Sequence, residues 1–193
     1  MDNDIETMLR LQGGEDNALN ELMSRWQQPL VNFIFRYLGN ANDALDLAQD
    51  TFVRIFEKRE RYRPTGKFST WLFAIAANLC RNHIGWRRRH PTVSLHRDKD
   101  TESPRELVES IPSPAKSPAE NVIVSELASA VKNLIQELPH DLRTAILLFE
   151  YEDMSYEQIA VILGCSVKAV ETRLYRARNI LRRRIVGGTH ESS

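Results

Sequence analysis

The densest group of side chains able to contact an acidic polymer lies near the end of this 193-residue chain. Seven lysines and arginines and one acid, Glu171, lie between Lys168 and Arg184. The apolar residues of the stretch recur three and four positions apart, as on one side of a helix: Val167, Val170, Leu174, Ala177 and Leu181. At about 100° per residue the opposite face presents Lys168, Thr172, Tyr175, Arg176, Asn179 and Arg183. Because basic and hydroxyl groups on an exposed helix can contact phosphates and base edges, this stretch is a candidate DNA-reading helix.

A helix with clear boundary signals precedes the basic one. Ser155 and Gln158 have the spacing of a capping box, and Gly164 is typical of a helix end. Ser166 can then cap the basic helix. Two helices joined by a short glycine-containing turn indicate a helix-turn-helix, whose second helix enters the DNA major groove.

Three arginines of the basic helix have different expected roles. Arg176 lies on the outward face, where it can donate two hydrogen bonds to a guanine. Arg173 and Arg178 flank the apolar stripe and more readily reach phosphates. The alternative interpretation, two core helices with a solvated basic face, fits the same pattern.

A second basic stretch is interleaved with aromatic residues in the first half of the chain. Tyr62, Arg63 and Lys67 belong to a basic loop. The helix predicted next, over residues 69–86, packs one side inward and offers polar groups on the other: Asn78, Arg81, Asn82 and Arg88. Rings beside arginine and asparagine are the groups that hold single-stranded nucleic acid. Three rings of this helix fit a core position equally well: Trp71, Phe73 and Trp86.

A ridge with two carboxylates is predicted on the helix before that loop, over residues 43–62. Its outward residues are Asp46, Gln49, Asp50 and Val53. Two carboxylates four residues apart could share a metal or acid-base work, but no further ligand pair accompanies them. A protein-docking ridge or simple solvation explains them better. The two cysteines and five histidines also lack ligand spacing, so we predict no metal, cofactor or catalytic residue.

Helical periodicity alone predicts an all-α fold of two small domains joined by a flexible linker. The expected domains are a helical bundle over residues 1–89 and a four-helix unit with the helix-turn-helix over residues 120–186. The connecting residues 90–119 are rich in proline and serine, and residues 187–193 form an expected disordered tail. In the first domain, helices are expected before Gly13, from Asp16 or Asn17, and from Pro29, which opens or bends a third helix.

Charge alternates along the chain although the total is zero. Residues 1–50 hold three basic and nine acidic residues, whereas residues 51–89 hold ten and two. Residues 119–157 hold two basic and eight acidic residues, and residues 158–193 hold seven basic and two acidic residues. Each basic block could approach DNA while its acidic neighbour faces a protein partner. An acidic N-terminus and the lack of a long apolar run predict a cytoplasmic protein without membrane insertion.

The chain resembles the extracytoplasmic-function (ECF) subgroup of the bacterial sigma-70 family, the promoter-recognition subunits of RNA polymerase. The family's second conserved region is similar to DALDLAQDTFVRIF and FSTWLFAIAANLCRNHI, and its fourth to LPHDLRTAILLFEYEDMSYEQIAVILGCSVKAVETRLYRARNIL. The two matches occur in this order across a proline-rich linker.

The resemblance implies partners and site residues. The ridge would dock on the clamp helices of the largest polymerase subunit, through Asp46, Gln49, Asp50 and Val53. The minus-10 element would be opened and its bases captured by Tyr62, Arg63, Lys67, Asn78, Arg81 and Asn82. The minus-35 element would be read by Lys168, Thr172, Arg173, Tyr175, Arg176 and Arg178, and Glu171 stands where relatives often carry a DNA-contacting group. It also implies contact with the flap of the second-largest subunit, control by an anti-sigma factor, and a linker that threads toward the active cleft.

Two rival functions remain open at this point. An autonomous helix-turn-helix regulator would explain residues 119–186 but leaves the basic block at residues 62–89 without a role, and it would normally dimerise. A helical enzyme would use Asp46 and Asp50. Strand opening only in the presence of core polymerase would favour the sigma-factor interpretation over both.

Overall fold

The computed structural model describes residues 3–90 and 130–188, in two compact units that span Met1–Ser110 and Ile111–Ser193. All regular secondary structure in those described ranges is helical, which confirms the predicted all-α class. Predicted linker residues 91–119, the first ten residues of the predicted second domain and residues 189–193 lie outside the described ranges. The last helix runs to Gly188, so two residues of the predicted disordered tail are helical instead.

In its described part, the N-terminal unit contains four α-helices and one short 3₁₀ turn. The helices are α1 (Asn3–Gln12), α2 (Ala18–Leu38), α3 (Ala41–Glu57) and α4 (Phe68–Arg89), and the turn spans Arg59–Arg61. Helix α2 packs against α1, α3 and α4, and α3 also packs against α4. The unit is therefore a bundle built around α2.

Helix α2 is continuous, whereas the sequence suggested two helices separated near Pro29. Proline removes one backbone hydrogen bond and disfavours a helix interior. Leu22 on one side of it, and Phe33 and Ile34 on the other, are all fully buried. Burying these side chains in one core outweighs the local cost of the proline. The helix then ends at Gly39, whose left-handed φ of 79° accommodates the turn.

Helix α3 is shorter than predicted, since it ends at Glu57 rather than Tyr62. Its start is fixed by Asn40, whose side-chain oxygen accepts a hydrogen bond from the Asp43 backbone N–H at 3.0 Å. At its end, Arg59 donates to the Phe56 carbonyl and lies over the Phe56 ring at 4.2 Å. This local contact supports the 3₁₀ turn that replaces the last predicted helical turn.

The core of the N-terminal unit is an aromatic cluster. The ring of Phe73 lies 5.1 Å from Phe33 and 6.2 Å from Trp26, both at steep angles. Phe68, at the start of α4, lies 6.2 Å from Trp26. Edge-to-face packing of this kind adds to the stability from buried area.

The C-terminal unit has four helices in its described part. They are α5, described over residues 130–137, α6 (His140–Glu150), α7 (Tyr156–Leu163) and α8 (Val167–Gly188). Helix α6 packs against both α7 and α8, so it buries residues on more than one side. Thr144, Leu147 and Leu148 are buried, whereas Leu142 and Phe149 are half-buried.

Helix α8 buries Val170, Leu174 and Ala177 as predicted. The first residue of the predicted stripe, Val167, is 42% exposed instead. It is the first residue of α8. Within the residues that the structure describes, no helix is long and apolar enough to cross a membrane.

Candidate nucleic-acid interface

The helix-turn-helix is built by the capping contacts that its sequence predicts. Ser155 Oγ accepts a hydrogen bond from the Gln158 N–H at 3.3 Å, and Gln158 Oε1 accepts one from the Ser155 N–H at 3.0 Å. Gly164 ends α7 with a left-handed φ of 59°. Ser166 Oγ accepts a hydrogen bond from the Ala169 N–H at 3.2 Å and so caps α8. The predicted boundaries of α7 and of the start of α8 are confirmed.

The outward face of α8 carries exposed residues that were predicted to read DNA. Lys168, Thr172, Tyr175 and Arg176 are all exposed. The hydroxyl of Thr172 donates to the Lys168 carbonyl at 2.9 Å, which fixes its orientation. Across the part of the chain with described coordinates, Arg176 has no ion pair or side-chain hydrogen bond. Its guanidinium is available for an external acceptor.

Two other arginines of α8 are bound within the unit, which the sequence did not suggest. Arg173 pairs with Asp141 at 2.8 Å and donates to the sulfur of Cys165 at 2.7 Å. Arg178 pairs with Glu150 at 2.8 Å, and this hydrogen bond raises the pKa of Arg178 above its usual range. Both arginines flank the apolar stripe, and the stripe packs on α6, which supplies the two acids.

An open cleft of about 550 Å³ lies where α6 begins beside α8. Pro139, His140 and Asp141 line it from α6, and Arg173 and Arg176 line it from α8. Because Arg173 is paired with Asp141, the N-terminal end of α6 and Arg176 are the groups of this cleft that favour an anion such as a DNA phosphate.

Tyr62 does not present its ring to solvent, since it is only 3% exposed. The ring lies 5.1 Å from Trp71 and 6.3 Å from Phe68, so it belongs to the aromatic cluster. The resemblance had implied that Tyr62 belongs to the part that opens the minus-10 element and captures its bases. In the structure, the ring instead anchors the loop that follows it.

The loop after Tyr62 is exposed and polar. Arg63 donates to the carbonyls of Glu60 and Tyr62 at 2.9 and 3.1 Å, and Lys67 immediately precedes α4. Gln12 of α1 also holds this region, because its Nε2 donates to the Arg59 carbonyl at 2.6 Å and to that of Tyr62 at 3.1 Å. Sequence reasoning missed Gln12, since its partners lie about fifty residues away and no local pattern marks it.

The exposed side of α4 brings three of the four predicted polar residues together. Asn78 Oδ1 accepts a hydrogen bond from Arg81 at 2.8 Å, and the Asn78 amide donates to the Ala74 carbonyl at 2.9 Å. Asn82 is exposed beside them. Among the rings of α4, Phe73 is core and Trp71 is half-buried, whereas Trp86 is half exposed and stacks on His90 at 5.0 Å.

The predicted ridge on α3 is exposed along its length. Asp46, Gln49 and Asp50 point away from the core, and Val53 continues the ridge with 54% of its surface exposed. In contrast, the nearby Asp43 pairs with Arg87 at 2.8 Å. No group of three or more potential metal-ligating side chains lies together within the described residues. The ridge therefore offers two carboxylates and an apolar tip to a partner.

Val53 is one apolar residue exposed at the surface of the N-terminal unit. The C-terminal unit has a second apolar feature, a cleft of about 410 Å³ between α5, α6 and α8. Val131, Ile135, Ile146, Tyr151, Leu181 and Ile185 line it, together with Glu150, Arg178 and Arg182 at its polar side.

Comparison with known proteins identifies both units. The family model for sigma-70 region 2 matches residues 22–90, and that for sigma-70 region 4 matches residues 128–181. The RNA polymerase sigma-H factor of Pseudomonas aeruginosa is 33% identical over 180 residues, which cover 92% of this chain and 91% of that protein. The ECF RNA polymerase sigma-E factor of Haemophilus influenzae is 35% identical over 176 residues, which cover 91% of this chain and 92% of that protein.

A solved structure agrees with these matches. The sigma factor RpoE of Bartonella quintana, solved with the anti-sigma factor NepR, is 25% identical, with a TM-score of 0.62. That match covers 86% of this chain and 96% of the other. Two region models in the expected order and nearly full-length relatives leave one assignment: the chain belongs to the ECF subgroup of the sigma-70 family of RNA polymerase sigma factors.

Proposed function

We propose that this chain directs core RNA polymerase to its promoters through three separate surfaces. The acidic ridge of α3 docks on the polymerase, the N-terminal basic surface captures the minus-10 element, and α8 reads the minus-35 element. One observation carries this proposal. The same N-terminal unit exposes a carboxylate ridge with an apolar tip and a separate polar, basic surface, which an autonomous DNA-binding regulator does not need.

The ridge suits a basic, partly apolar partner surface. Asp46 and Asp50 supply charge, Gln49 supplies a hydrogen-bonding amide, and Val53 supplies apolar area at the centre of a contact. The implied partner is the pair of clamp helices in the largest polymerase subunit. The apolar cleft between α5, α6 and α8 is the candidate contact for the flap of the second-largest subunit.

The minus-10 surface consists of the loop after Tyr62 and the exposed side of α4. Arg63, Lys67 and Arg81 supply positive charge, and Asn78 and Asn82 supply amides that can hydrogen-bond to the edges of unpaired bases. Tyr62 supports this surface from below instead of stacking on a base, because its ring lies in the core. Binding energy from captured bases drives strand opening, so the protein acts without catalysis of its own.

The minus-35 surface is the exposed face of α8. Arg176 reads a guanine, whereas Lys168, Thr172 and Tyr175 contact neighbouring bases or phosphates. Arg173 and Arg178 act more weakly on DNA than their charge suggests, because each is already paired with an acid of α6.

An anti-sigma factor is the expected regulator, acting in the bacterial cytoplasm. The relative RpoE of Bartonella quintana was solved with an anti-sigma factor. A protein that covers the ridge of α3 or the apolar cleft of the C-terminal unit would block polymerase docking. The exposed Val53 gives such a partner apolar area to bury.

The test is strand opening on a fluorescent promoter library, with the purified full-length protein alone and with bacterial core RNA polymerase. We expect opening only when both are present, and the selected sequences give the promoter. Tight, specific duplex binding without core enzyme, together with no opening in its presence, would overturn the proposal in favour of an autonomous regulator.

Charge-matched variants test the docking ridge. Asp46→Asn with Asp50→Asn removes two carboxylates from the ridge and should weaken binding to core polymerase while leaving the melting temperature unchanged. The control, Glu6→Gln with Asp16→Asn, removes two exposed carboxylates from elsewhere in the same unit. Equal core affinity for both double variants would argue against docking through α3.

A further inference from the structure

Glu171 is an acidic residue on the otherwise basic surface of α8. It is the one acid between Lys168 and Arg184, in a stretch with seven basic residues. Its side chain is 54% exposed, and its Oε2 lies 2.7 Å from the Nζ of Lys168, one helical turn earlier. The helix thus presents a fixed pair of opposite charges near its N-terminal end.

A surface ion pair explains this geometry only in part. Exposed pairs three residues apart stabilise a helix weakly, and salt screens them. On a helix that approaches DNA, a carboxylate is also repelled by the phosphates. A glutamate at this place therefore weakens DNA binding unless it accepts a hydrogen bond from a base.

The position of Glu171 allows such a contact. In a helix-turn-helix, residues near the N-terminal end of the second helix contact base edges. Glu171 is the fifth residue of α8, which begins at Val167, and its exposed side chain lies beside that of Lys168, which belongs to the outward face. In the major groove, a carboxylate matches the amino group of cytosine, and an ammonium matches the O6 and N7 acceptors of guanine.

The pair as a whole matches one base pair. Cytosine N4 donates to guanine O6 within a C·G pair, so these two atoms are about 2.9 Å apart, one hydrogen-bond length. Glu171 Oε2 and Lys168 Nζ are separated by 2.7 Å, with the acceptor and the donor in complementary roles. We propose that Glu171 and Lys168 together read a single C·G base pair of the minus-35 element, with Glu171 accepting from cytosine and Lys168 donating to guanine.

This inference rests on the proposed function, because it needs α8 in the major groove. Glu171 repels DNA phosphates in general but accepts a hydrogen bond from one base, cytosine. Lys168 holds the carboxylate in place and offsets part of its repulsion, so the two residues act as a unit. Loss of either should change the preference at the same base pair.

The test is selection from promoter duplexes randomised across the minus-35 element, with holoenzyme assembled from bacterial core polymerase and the full-length chain. Wild type should prefer C·G at one position by about 5- to 150-fold over other pairs. Glu171→Ala should abolish that preference, and Lys168→Ala should reduce it at the same position. Glu171→Gln should move the preference toward A·T, because a glutamine amide pairs with adenine N6 and N7.

A matched control separates base reading from general repulsion. Glu157→Gln removes one exposed acid from α7 of the same unit and should leave every base preference unchanged. If Glu171→Ala binds all sequences more tightly but keeps the wild-type preference at each position, Glu171 is a repulsive surface charge and the inference is wrong. If wild-type holoenzyme selects no motif at all, the proposed function fails first, and this assignment falls with it.

Discussion

The guanidinium of Arg173 lies 2.8 Å from the carboxylate of Asp141, and this ion pair joins helix α8 to the start of α6. The same arginine donates to the sulfur of Cys165, in the turn between α7 and α8. One side chain thus connects three parts of the helix-turn-helix unit. Its neighbour Thr172 is exposed, so this connection helps to orient the outward face of α8.

Arg173→Ala should destabilise the C-terminal unit without removing a DNA contact. A half-exposed ion pair contributes about 1 kcal/mol at most to the free energy of unfolding. For a unit of this size, that corresponds to a melting temperature lowered by about 4 to 8 °C. Circular dichroism of the full-length chain measures this shift, with the exposed Arg182→Ala as the control for loss of one charge.

The salt dependence of promoter binding by the holoenzyme distinguishes the two roles of Arg173. A positioning residue leaves the slope of log affinity against log salt unchanged. A lost phosphate contact reduces its magnitude by about 0.9. A reduction of that size would mean that Arg173 leaves Asp141 to bind DNA.

Arg176→Ala should relax promoter specificity at one position. Its guanidinium has no partner in the described part of the chain and can form two hydrogen bonds to guanine, which contribute about 1–3 kcal/mol of discrimination. Selection from a randomised minus-35 library measures the effect. Arg178→Ala is the matched control for the loss of one arginine, because Arg178 flanks the apolar stripe and pairs with Glu150 at 2.8 Å. Any loss of affinity that it causes should be equal for all sequences. Identical sequence preference in wild type and Arg176→Ala would contradict the prediction.

Tyr62→Ala should act mainly on stability. The ring is buried against Trp71 and Phe68, and loss of a buried aromatic side chain costs about 3–5 kcal/mol. Tyr62→Phe keeps the ring and should retain most of that stability together with promoter opening. Urea unfolding and strand opening, measured on both variants, check this. Unchanged unfolding of Tyr62→Ala with lost opening would show that the ring leaves the core to bind a base.

The N-terminal unit should lose part of its stability in acid through Glu15. Arg10 pairs with Glu15 at 2.6 Å and with Glu21 at 2.9 Å, and the hydrogen bond from Arg10 lowers the pKa of Glu15 below its ordinary value of 4.5. The folded state therefore favours the charged carboxylate. Its contribution is present at neutral pH and is lost as the pH falls below about 4.5 and through the lower folded pKa.

Urea unfolding midpoints between pH 7 and pH 3 measure this effect. Glu15→Gln lacks the titrating group, so wild type should exceed it in stability at pH 7 and approach it near pH 3. The exposed Glu6→Gln on α1 is the control for the loss of one carboxylate from the same unit. A difference between wild type and Glu15→Gln that stays constant with pH would exclude the proposed contribution of Glu15.

Features set by neighbours in the chain could be predicted from the sequence. The capping contacts of Ser155 with Gln158 and of Ser166 with Ala169 span three residues, and the turn at Gly164 needs only a residue that tolerates a left-handed φ. The outward face of α8 and the exposed ridge from Asp46 to Val53 follow from helical periodicity. The sequence by itself thus determined the all-α class, the helix-turn-helix and the family.

Only the tertiary structure decided which of the charged and aromatic residues are available to partners. Local sequence preferences predict a break in α2 at Pro29. Burial of core side chains on both sides of the proline keeps the helix continuous instead. The position of Tyr62 in a loop does not decide whether its ring faces solvent or the core. Contacts with the rings of Phe68 and Trp71 place it in the core. Arg173 and Arg178 are paired because α6 brings Asp141 and Glu150 beside α8, over separations of about thirty residues. Such contacts depend on how helices pack, and no periodicity within a single helix contains that information.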